Sequence, residues 1–389
     1  MQTLIQSPTD PAFVQDPYPF YARARSAGPL VYWGDYDMVC ATTHAAVNSV
    51  LRDRRFGREQ PEELRAPIPD HLCPFYAVEA HSMLELEPPR HSRLRSLVLR
   101  AFTSRRIAGL TDGMHSLCHH LIDRFPAGDF DLLEAYARPL PVTVIARLLG
   151  VPEEMGDTLL GWSNAMVRMY MAGRSRVDED AAVAASESFA DFMRGYVAQR
   201  RKDPRDDLIT SLIAAEENGE KLSTDELITT CILLLNAGHE ATVHSLGNGV
   251  KAMLEHGVRP TGDPAPLVEE ILRHDPPLHM FTRYAYEDVE LFGHTFQRGD
   301  EVGLLLGSVG RDEAVNDAPD VFAPDRAAAT HLAFGAGLHF CVGAPLARME
   351  LQIALPILWQ RCPGLRLTGA PRYAEIYHFH GLERLMVAR

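Results

Sequence analysis

The chain lacks the features of a membrane protein and of a disulfide-stabilised one. Its longest apolar run, over 227–238, includes two threonines and an asparagine and is too short to span a bilayer. Residues 1–16 do not show the basic and then apolar pattern of a secretion signal. The six cysteines have the spacing of neither a disulfide framework nor a zinc site. These absences predict a cytoplasmic protein that does not enter the membrane.

Positive charge is also scarce. The 389 residues include 38 lysines and arginines against 52 aspartates and glutamates, a formal net charge of −14. This excess of negative charge argues against nucleic acid and anionic membrane surfaces as partners. Internal repeats and Gly/Ser-rich linkers are missing as well, and 46% of the residues are hydrophobic. We therefore expect a single domain over 1–389 with a large core.

The spacing of apolar residues predicts a mainly α-helical fold with a small β region. A strand, turn, strand pattern occupies 30–41. Helices are expected near 91–104, 107–125, 134–149, 154–171, 179–201, 206–216 and 223–255. The last of these has a marked start, because Ser223 and Glu226 have the spacing of a capping box. Further strands are expected within 289–306, and 311–331 is expected to be irregular.

One cysteine has a sequence setting that suits metal binding. Cys341 follows Gly335 and Gly337, which permit backbone angles closed to other residues, and it precedes Pro345, which is favoured in the first turn of a helix. The free N–H groups and positive end of that helix would lie beside the sulfur and favour the thiolate, the form that binds metals. His339 would lie beside the same ligand plane. Since a lone cysteine is more often a small buried hydrophobe, the assignment depends on the whole string.

That string is Phe-Gly-x-Gly-x-His-x-Cys-x-Gly-x-x-Leu-Ala-Arg, and it resembles the haem-binding loop of the cytochrome P450 family. The matching positions are Phe334, Gly335, Gly337, His339, Cys341, Gly343, Leu346, Ala347 and Arg348. The resemblance implies the P450 fold, haem b as cofactor, and Cys341 as the thiolate ligand of the haem iron. The other haem-binding residues that it implies in this string are Phe334, Gly335, His339 and Gly343.

A second part of the family pattern lies about seventy residues earlier. Glu270 and Arg273 are three apart on one face of a predicted helix and match the family's Glu-x-x-Arg. Alone, such a pair would be an ordinary surface ion pair of little consequence. The resemblance implies instead a structural pair that fixes the helix to the irregular stretch over 311–331 and helps to retain haem.

Haem carries two propionates, which require cations and hydrogen-bond donors. His91 and Arg95 are four apart on a predicted helix and can reach one carboxylate together. Both match the family's His-x-x-x-Arg. Arg283 and His339 match its other two propionate contacts, so the resemblance implies that all four residues bind haem.

The long predicted helix carries Ala-Gly-His-Glu-Ala-Thr, which resembles the family's oxygen-activation motif. In that motif a glycine widens a groove for dioxygen, and an acid and an alcohol pass protons. Ala237, Gly238 and Glu240 match, whereas Ala241 stands at the position of the alcohol. Thr242 is one residue further, a rotation of about 100°, and cannot occupy that position. Either Ala241 is an ordinary core residue and protons arrive by another route, or an ordered water or a substrate hydroxyl replaces the alcohol, supplied by Glu240 or Thr242.

An arginine-rich stretch stands out in this acidic chain, since 90–106 contains no acidic residue. Arg93 and Arg100 are seven apart and are expected to face away from His91 and Arg95. Such a patch indicates a docking site for an acidic partner, the alternative being a merely solvated face. No flavin or iron–sulfur domain is part of the chain, so the resemblance implies electrons from a separate ferredoxin and ferredoxin reductase.

The function implied by the resemblance is that of a monooxygenase, which inserts one atom of O2 into an apolar small molecule. Two alternatives stay open. Ala241 makes a peroxide-driven peroxygenase more attractive, since the proton-passing alcohol is missing. Glu240 argues against it, because a reaction with peroxide needs no acid to deliver protons to bound oxygen. A non-enzymatic haem sensor or carrier is disfavoured by the intact oxygen-activation glycine at Gly238.

Overall fold

The computed structural model of the chain describes residues 1–170, 174–217 and 219–389. These residues form two units, each assembled from separate stretches. The first unit comprises residues 1–64, 115–138 and 241–389, and the second comprises residues 65–114 and 139–240. The helices that contribute to both units are Thr111–Asp123 and Thr224–Glu255. The expected organisation as a single domain over 1–389 stays a prediction.

A six-stranded mixed sheet organises the first unit. Its strands in spatial order are Gln2–Leu4, Leu30–Trp33, Met38–Ala41, Glu301–Leu304, Phe281–Ala285 and Phe56–Gly57. The strand, turn, strand pattern predicted at 30–41 is confirmed as an antiparallel pair. Its second strand then pairs in parallel with a strand from the C-terminal part of the chain, and Val39 lies opposite Val302. The sheet therefore joins segments that are far apart in sequence.

The first unit completes its fold with helices and small two- or three-stranded pairings. Its α-helices, beyond the two shared ones, are Pro11–Gln15, Tyr18–Ala27, His44–Arg52, Ala265–His274, Leu306–Val309 and Ala344–Arg361. Its remaining strands are Phe130–Asp131, Val289–Leu291, His294–Phe296, Arg366–Leu367, Arg372–Tyr373, Leu382–Arg384 and Met386–Ala388. The apolar side chains of the sheet pack against Ala46, Val47 and Val50 of one helix. This packing excludes water from one face of the sheet.

The second unit is almost entirely helical, as the apolar spacing predicts. Its α-helices are Cys73–Glu79, Arg90–Ala101, Ser104–Ala108, Pro139–Leu149, Gly156–Val167, Arg176–Lys202 and Leu208–Ala214. A short hairpin pairs Glu216–Glu217 with Glu220–Lys221. The helix predicted over 154–171 continues beyond Val167 only as the single 3-10 turn Arg168–Tyr170, and Met171 lies outside the described residues.

Two predicted helices are divided in the structure. The prediction over 134–149 is wrong for its first turn, where Leu133–Ala137 forms a π-helical turn and the α-helix begins only at Pro139. Proline lacks an N–H group and therefore starts a helix more readily than it continues one. The prediction over 107–125 is similarly divided around Gly109, which ends the helix Ser104–Ala108.

The long helix Thr224–Glu255 begins where the capping signal predicts. Ser223 donates its backbone N–H to Glu226 Oε2 at 2.8 Å, and Glu226 donates its own to Ser223 Oγ at 3.2 Å. With 32 residues the helix is about 48 Å long. It therefore contributes residues to both units.

The Glu270–Arg273 pair ties its helix to the irregular stretch over 311–331, as the resemblance implies. Both side chains are fully buried, and two hydrogen bonds of 2.7 Å join them. Arg273 donates further to the carbonyl oxygens of Gly310 and Pro319 at 2.7 and 2.6 Å. Glu270 accepts the backbone N–H of Ala323 at 2.7 Å. The pair thus supplies hydrogen-bond partners to a segment that forms no helix or strand.

Candidate functional site

The cysteine loop, which we define as residues 332–343, is a tight turn in the first unit. Gly335 and Gly337 have φ angles of 66° and 70°, in the left-handed region that other residues rarely adopt. Cys341 donates its backbone N–H to the carbonyl oxygen of Phe334 at 3.0 Å. This bond folds the loop back on itself and places Cys341 directly before a helix.

A backbone carbonyl of another helix fixes the position of the loop. Gly337 lies so close to the end of the helix His44–Arg52 that a Cβ atom on it would lie 2.2 Å from the carbonyl oxygen of Leu51. No side chain fits at that distance. The pattern of glycines predicted the unusual backbone angle at Gly337, but the contact with Leu51 has no sequence signal, because the two residues are distant along the chain.

The helix Ala344–Arg361 begins beside Cys341. Gly343 is its N-terminal cap and Pro345 lies in its first turn, as predicted. The N–H groups of that turn have no partner within the helix, and the positive end of the helix favours a negative charge there. Gly343 lies next to the sulfur, since a Cβ atom on it would be in van der Waals contact with Cys341 Sγ at 3.8 Å.

The setting of Cys341 differs from that of the buried cysteines. Burial raises the pKa of Cys40 to about 12 and the pKa of Cys118 to about 11. Burial also raises the pKa of Cys231 and of Cys362. Such thiols stay protonated at neutral pH and are poor metal ligands. Cys341 is only half-buried and lies at a helix N-terminus, where the thiolate is favoured.

The carboxylate of Glu269, which sequence reasoning missed, supports the cysteine loop through Arg348. Glu269 binds Arg348 through two hydrogen bonds of 2.6 and 2.9 Å, and its Oε2 lies 3.1 Å from His331 Nε2. Burial alone would raise the pKa of Glu269, but the bonds to Arg348 and His331 outweigh it and hold the pKa at about 2. The guanidinium of Arg348 also stacks 4.5 Å from the centre of the Phe334 ring. The second glutamate beside Glu270 in this helix is the sequence signal that could have revealed Glu269.

Two of the predicted propionate-binding residues lie in the same unit as Cys341. Arg283 is 4% exposed and donates from Nη1 to the carbonyl oxygen of Thr282 at 2.7 Å. His339 is half-buried in the 3-10 turn of the cysteine loop. Both side chains can donate hydrogen bonds to a carboxylate. The first unit therefore contains a half-buried cysteine together with two donors suited to an anionic group.

The other two predicted propionate-binding residues lie in the second unit. His91 and Arg95 are both on the helix Arg90–Ala101, four residues apart as predicted. His91 is 1% exposed and Arg95 is half-buried. The same unit holds Ala237, Gly238 and Glu240 of the oxygen-activation motif.

The long helix has one accessible face at its centre. Ala237 is exposed there, and Glu240 and Ala241 are partly accessible. Thr242 is 5% exposed and points to the buried side, which agrees with the predicted rotation away from the alcohol position. Gly238 faces the neighbouring helix instead, since a Cβ atom on it would lie 3.4 Å from Ile145 Cδ1. The accessible face is therefore that of Ala237 and Ala241, and a groove at Gly238 stays a prediction.

Among the described residues, no helix combines the length and the apolar character that crossing a membrane requires.

A family model described as cytochrome P450 matches residues 266–363, the segment that contains the Glu270–Arg273 pair and the cysteine loop. Cytochrome P450 107B1 of Saccharopolyspora erythraea is 36% identical over 396 residues, covering 97% of this chain and 96% of the relative. Cytochrome P450 monooxygenase PikC of Streptomyces venezuelae is 36% identical over 376 residues, covering 92% of this chain and 87% of the relative.

Solved structures agree with the relatives. The crystal structure of P450BioI in complex with hexadec-9Z-enoic acid ligated acyl carrier protein has a TM-score of 0.91 and 33% identity, covering 97% of this chain and 99% of the other. Together with the cysteine loop, this fold defines a haem-thiolate oxygenase. The chain belongs to the cytochrome P450 family. It is a monooxygenase that uses haem b with a cysteine-thiolate ligand, and it acts on a small-molecule substrate with O2 and redox partners.

The residues of the first unit fit a haem group. The half-buried sulfur at the positive end of a helix is suited to binding a metal ion. The hydrogen-bond donors of Arg283 and His339 are suited to binding propionates. When bound, thiolate-ligated haem supplies the chemistry that cleaves O2. A side chain at Gly343 would narrow the space beside the sulfur, and glycine leaves that space open.

The substitution Gly337→Ala is expected to weaken both the fold and haem binding. The new Cβ would meet the carbonyl oxygen of Leu51 and would also force alanine into the left-handed region, a conformational cost of about 1–2 kcal/mol even without the contact. Gly128→Ala is the matched control, because Gly128 has a φ of 84° but no atom within 4 Å of the added Cβ. Urea unfolding and haem content measure the difference. Equal losses in both variants would show that the contact with Leu51 contributes nothing.

Proposed function

We propose that Cys341 is the haem ligand of this monooxygenase and that the cysteine loop sets its thiolate character. The observation that carries the proposal is the combination of a half-buried sulfur with the free N-terminal end of the helix Ala344–Arg361. The four buried cysteines lack this combination, since burial raises the pKa of each of them. Phe334, Gly335 and Gly343 shape the loop around the ligand.

The propionates of the haem are assigned to two pairs of residues. In the first unit, Arg283 and His339 are the proposed contacts. In the second unit, His91 and Arg95 are proposed, because their spacing on one helix lets both side chains reach one carboxylate. Arginine offers two parallel N–H groups to a carboxylate and is well suited to this role.

For oxygen activation we assign the acid to Glu240, whose carboxylate is 21% exposed and lies 3.6 Å from His239 Nδ1. The carboxylate can therefore exchange protons with water on the accessible face of the long helix. Ala241 shares that face but has no hydroxyl, and the hydroxyl of Thr242 is turned to the buried side. A hydroxyl or carbonyl of the substrate that orders a water is proposed to take the place of the missing alcohol, because an apolar groove alone holds water poorly.

The substrate is proposed to be an apolar organic molecule with at least one such polar group. A ferredoxin and its reductase are the proposed electron donors, and a cytoplasmic location is proposed with them. The retained acid at Glu240 favours this function over a peroxide-driven peroxygenase. Product formed with a ferredoxin system supports the assignment, whereas product formed only with peroxide, or none with either, contradicts it.

The variant Cys341→Ser is expected to lose the red-shifted Soret band that the reduced carbon monoxide complex of a thiolate-ligated haem shows. Serine keeps the size of the side chain and cannot supply the sulfur ligand. Cys73→Ser, at an exposed position, is the matched control and should keep the band. A wild-type spectrum in Cys341→Ser, or loss of the band in any other single-cysteine variant, would assign the ligand elsewhere.

The arginine surface, which we define as Arg90, Arg100 and Arg105, is the proposed docking site for an acidic ferredoxin. All three residues are exposed. Arg93, which the sequence pattern grouped with Arg100, binds Glu226 and lies 3.5 Å from Glu220. Its charge is therefore already balanced within the chain, and it is a poor candidate for contact with a partner.

Reversing the charge with Arg100→Glu is expected to slow the first electron transfer from an acidic ferredoxin by roughly tenfold, because electrostatic steering of that size is common between opposite charges. The difference should shrink as salt is raised, since screening acts over about 8 Å at physiological ionic strength. Arg176→Glu makes the same change at another exposed arginine and should have little effect. Stopped-flow kinetics that do not respond to salt or to Arg100→Glu would remove the arginine surface from the proposal.

Substrate analogues without their polar group are expected to bind but to divert electrons to hydrogen peroxide, because nothing then orders the water near Ala241. In Ala241→Thr, the new hydroxyl should restore coupling for those analogues while crowding the native substrate. The ratio of product to NAD(P)H consumed measures the coupling. Equal ratios for both kinds of substrate, in wild type and in Ala241→Thr, would mean that position 241 has no part in proton delivery.

A further inference from the structure

A second cluster of potential metal ligands lies in the first unit, apart from the cysteine loop in sequence. Asp275 ends the helix Ala265–His274, His279 precedes the strand Phe281–Ala285, and His380 belongs to the C-terminal segment. One ligand atom from each residue lies within 4.8 Å of the other two. The residues are 6%, 0% and 3% exposed. Three chemically suitable groups thus converge from three segments inside the core.

The hydrogen bonds around His279 determine which of its nitrogens is free. Tyr21 donates its hydroxyl proton to Tyr377 at 2.9 Å, so the oxygen of Tyr21 accepts from His279 Nδ1, also at 2.9 Å. In the tautomer that matches this direction, the proton of the neutral ring is on Nδ1 and Nε2 carries a lone pair. Nε2 is buried and makes no hydrogen bond. This is the arrangement of a metal-binding histidine whose other nitrogen is held by a neighbouring group.

His380 presents a second buried nitrogen to the same place. Its Nε2 also makes no hydrogen bond, although it lies 3.4 Å from Asp275 Oδ1. A neutral imidazole binds a metal ion through its unprotonated nitrogen, and each ring has a buried Nε2 without a hydrogen bond that fits this role.

Two phenols orient the carboxylate of Asp275. Tyr18 donates to Oδ1 at 2.6 Å and Tyr373 donates to Oδ2 at 2.5 Å. Each carboxylate oxygen can accept more than one bond, so the phenols leave lone pairs for a cation. Asn248 joins the backbones of two of the segments by donating to the carbonyl oxygens of Asp275 and His380 at 3.3 and 2.8 Å. The surrounding residues therefore position the ligands without occupying them.

A pocket of about 280 Å³ gives access to the cluster and is lined in part by Asp275 and His380. Two basic residues also line it, and each has its own acidic partner. Arg311 lies 2.9 Å from Asp320, and Lys251 lies 2.8 Å from Glu255. These acidic partners offset part of the positive charge beside Asp275. The pocket also provides room for water as a further ligand.

We propose that Asp275, His279 and His380 bind one divalent metal ion of the zinc type, with water completing the coordination. Two imidazole nitrogens exclude magnesium and calcium, which take oxygen ligands, whereas zinc is commonly held by such a mixed set. The ligand atoms now lie within 4.8 Å of one another, and a tetrahedral ion with bonds of about 2.1 Å would bring them to about 3.4 Å, so the proposal requires them to close by up to about 1.4 Å on binding. The ion would connect the end of one helix, a sheet strand and the C-terminal segment, so its role is structural.

The test measures zinc in the haem-loaded full-length protein after dialysis against zinc and then against a weak chelator. Elemental analysis is expected to give about one zinc per chain, and added zinc is expected to raise the unfolding temperature. His380→Gln and His279→Gln should lose this zinc, while His120→Gln, at an exposed histidine, should keep it. Tyr21→Phe removes no ligand but frees Nδ1 of His279, and it should weaken zinc binding 10- to 100-fold.

Wild-type protein that retains no zinc, or zinc that is retained equally in His380→Gln, would overturn the proposal. Anomalous scattering at the zinc absorption edge from crystals of the wild type decides the matter even if the histidine variants fail to fold. A peak about 2.1 Å from the three ligand atoms is expected. A peak only at surface histidines would mean adventitious binding and would also overturn the proposal. None of these measurements depends on monooxygenase activity.

Discussion

The buried ion pair between Glu270 and Arg273 holds together the segment that leads into the cysteine loop. Moving two charges out of water is costly, and only full pairing and hydrogen bonding offset that cost. Here Arg273 also donates to backbone carbonyls of the irregular stretch, and Glu270 also binds Arg326. Backbone groups in a buried irregular segment need such partners, because no helix or sheet satisfies them. The loop that carries Cys341 thus depends on a hydrogen-bond network centred on a neighbouring helix.

The adjacent Glu269 forms a second ion pair, which holds the helix that follows the cysteine loop. Glu270 is buried and accepts hydrogen bonds from the irregular stretch, whereas Glu269 binds Arg348 of the helix that follows Cys341. The contact of Gly337 with the carbonyl of Leu51 adds a third constraint from the N-terminal part of the chain. The cysteine loop is therefore held from two segments of the first unit, by the helix Ala265–His274 through Glu269 and Glu270 and by the helix His44–Arg52 through Leu51.

The sequence was most informative where structure is determined locally. The capping box at Ser223, the helix start at Pro345 and the backbone angles of Gly335 follow from residue chemistry within a few positions. The contact between Gly337 and Leu51 and the convergence of His279 with His380 depend on chain segments distant in sequence, which no local pattern specifies. The pairing of Arg93 with Glu226 is of the same kind, since the spacing of charges along one helix does not show which neighbour faces them. The haem-binding residues were assigned because they match a family string and stay a prediction, whereas the contacts of Glu269 and Leu51 that support the cysteine loop had no local signal.

The parallel pairing of Val39 with Val302 has a consequence for the order of events during synthesis. The strand Met38–Ala41 leaves the ribosome roughly 260 residues before its partner, a delay on the order of tens of seconds at ordinary elongation rates. During that interval one of its edges has no neighbour and is open to unwanted association. Gly337, which packs against the carbonyl oxygen of Leu51 in the helix His44–Arg52, is likewise synthesised long after that helix. Capture of haem must therefore come late, and a cell that makes this protein faster than it can shield that edge would accumulate aggregated chains without cofactor.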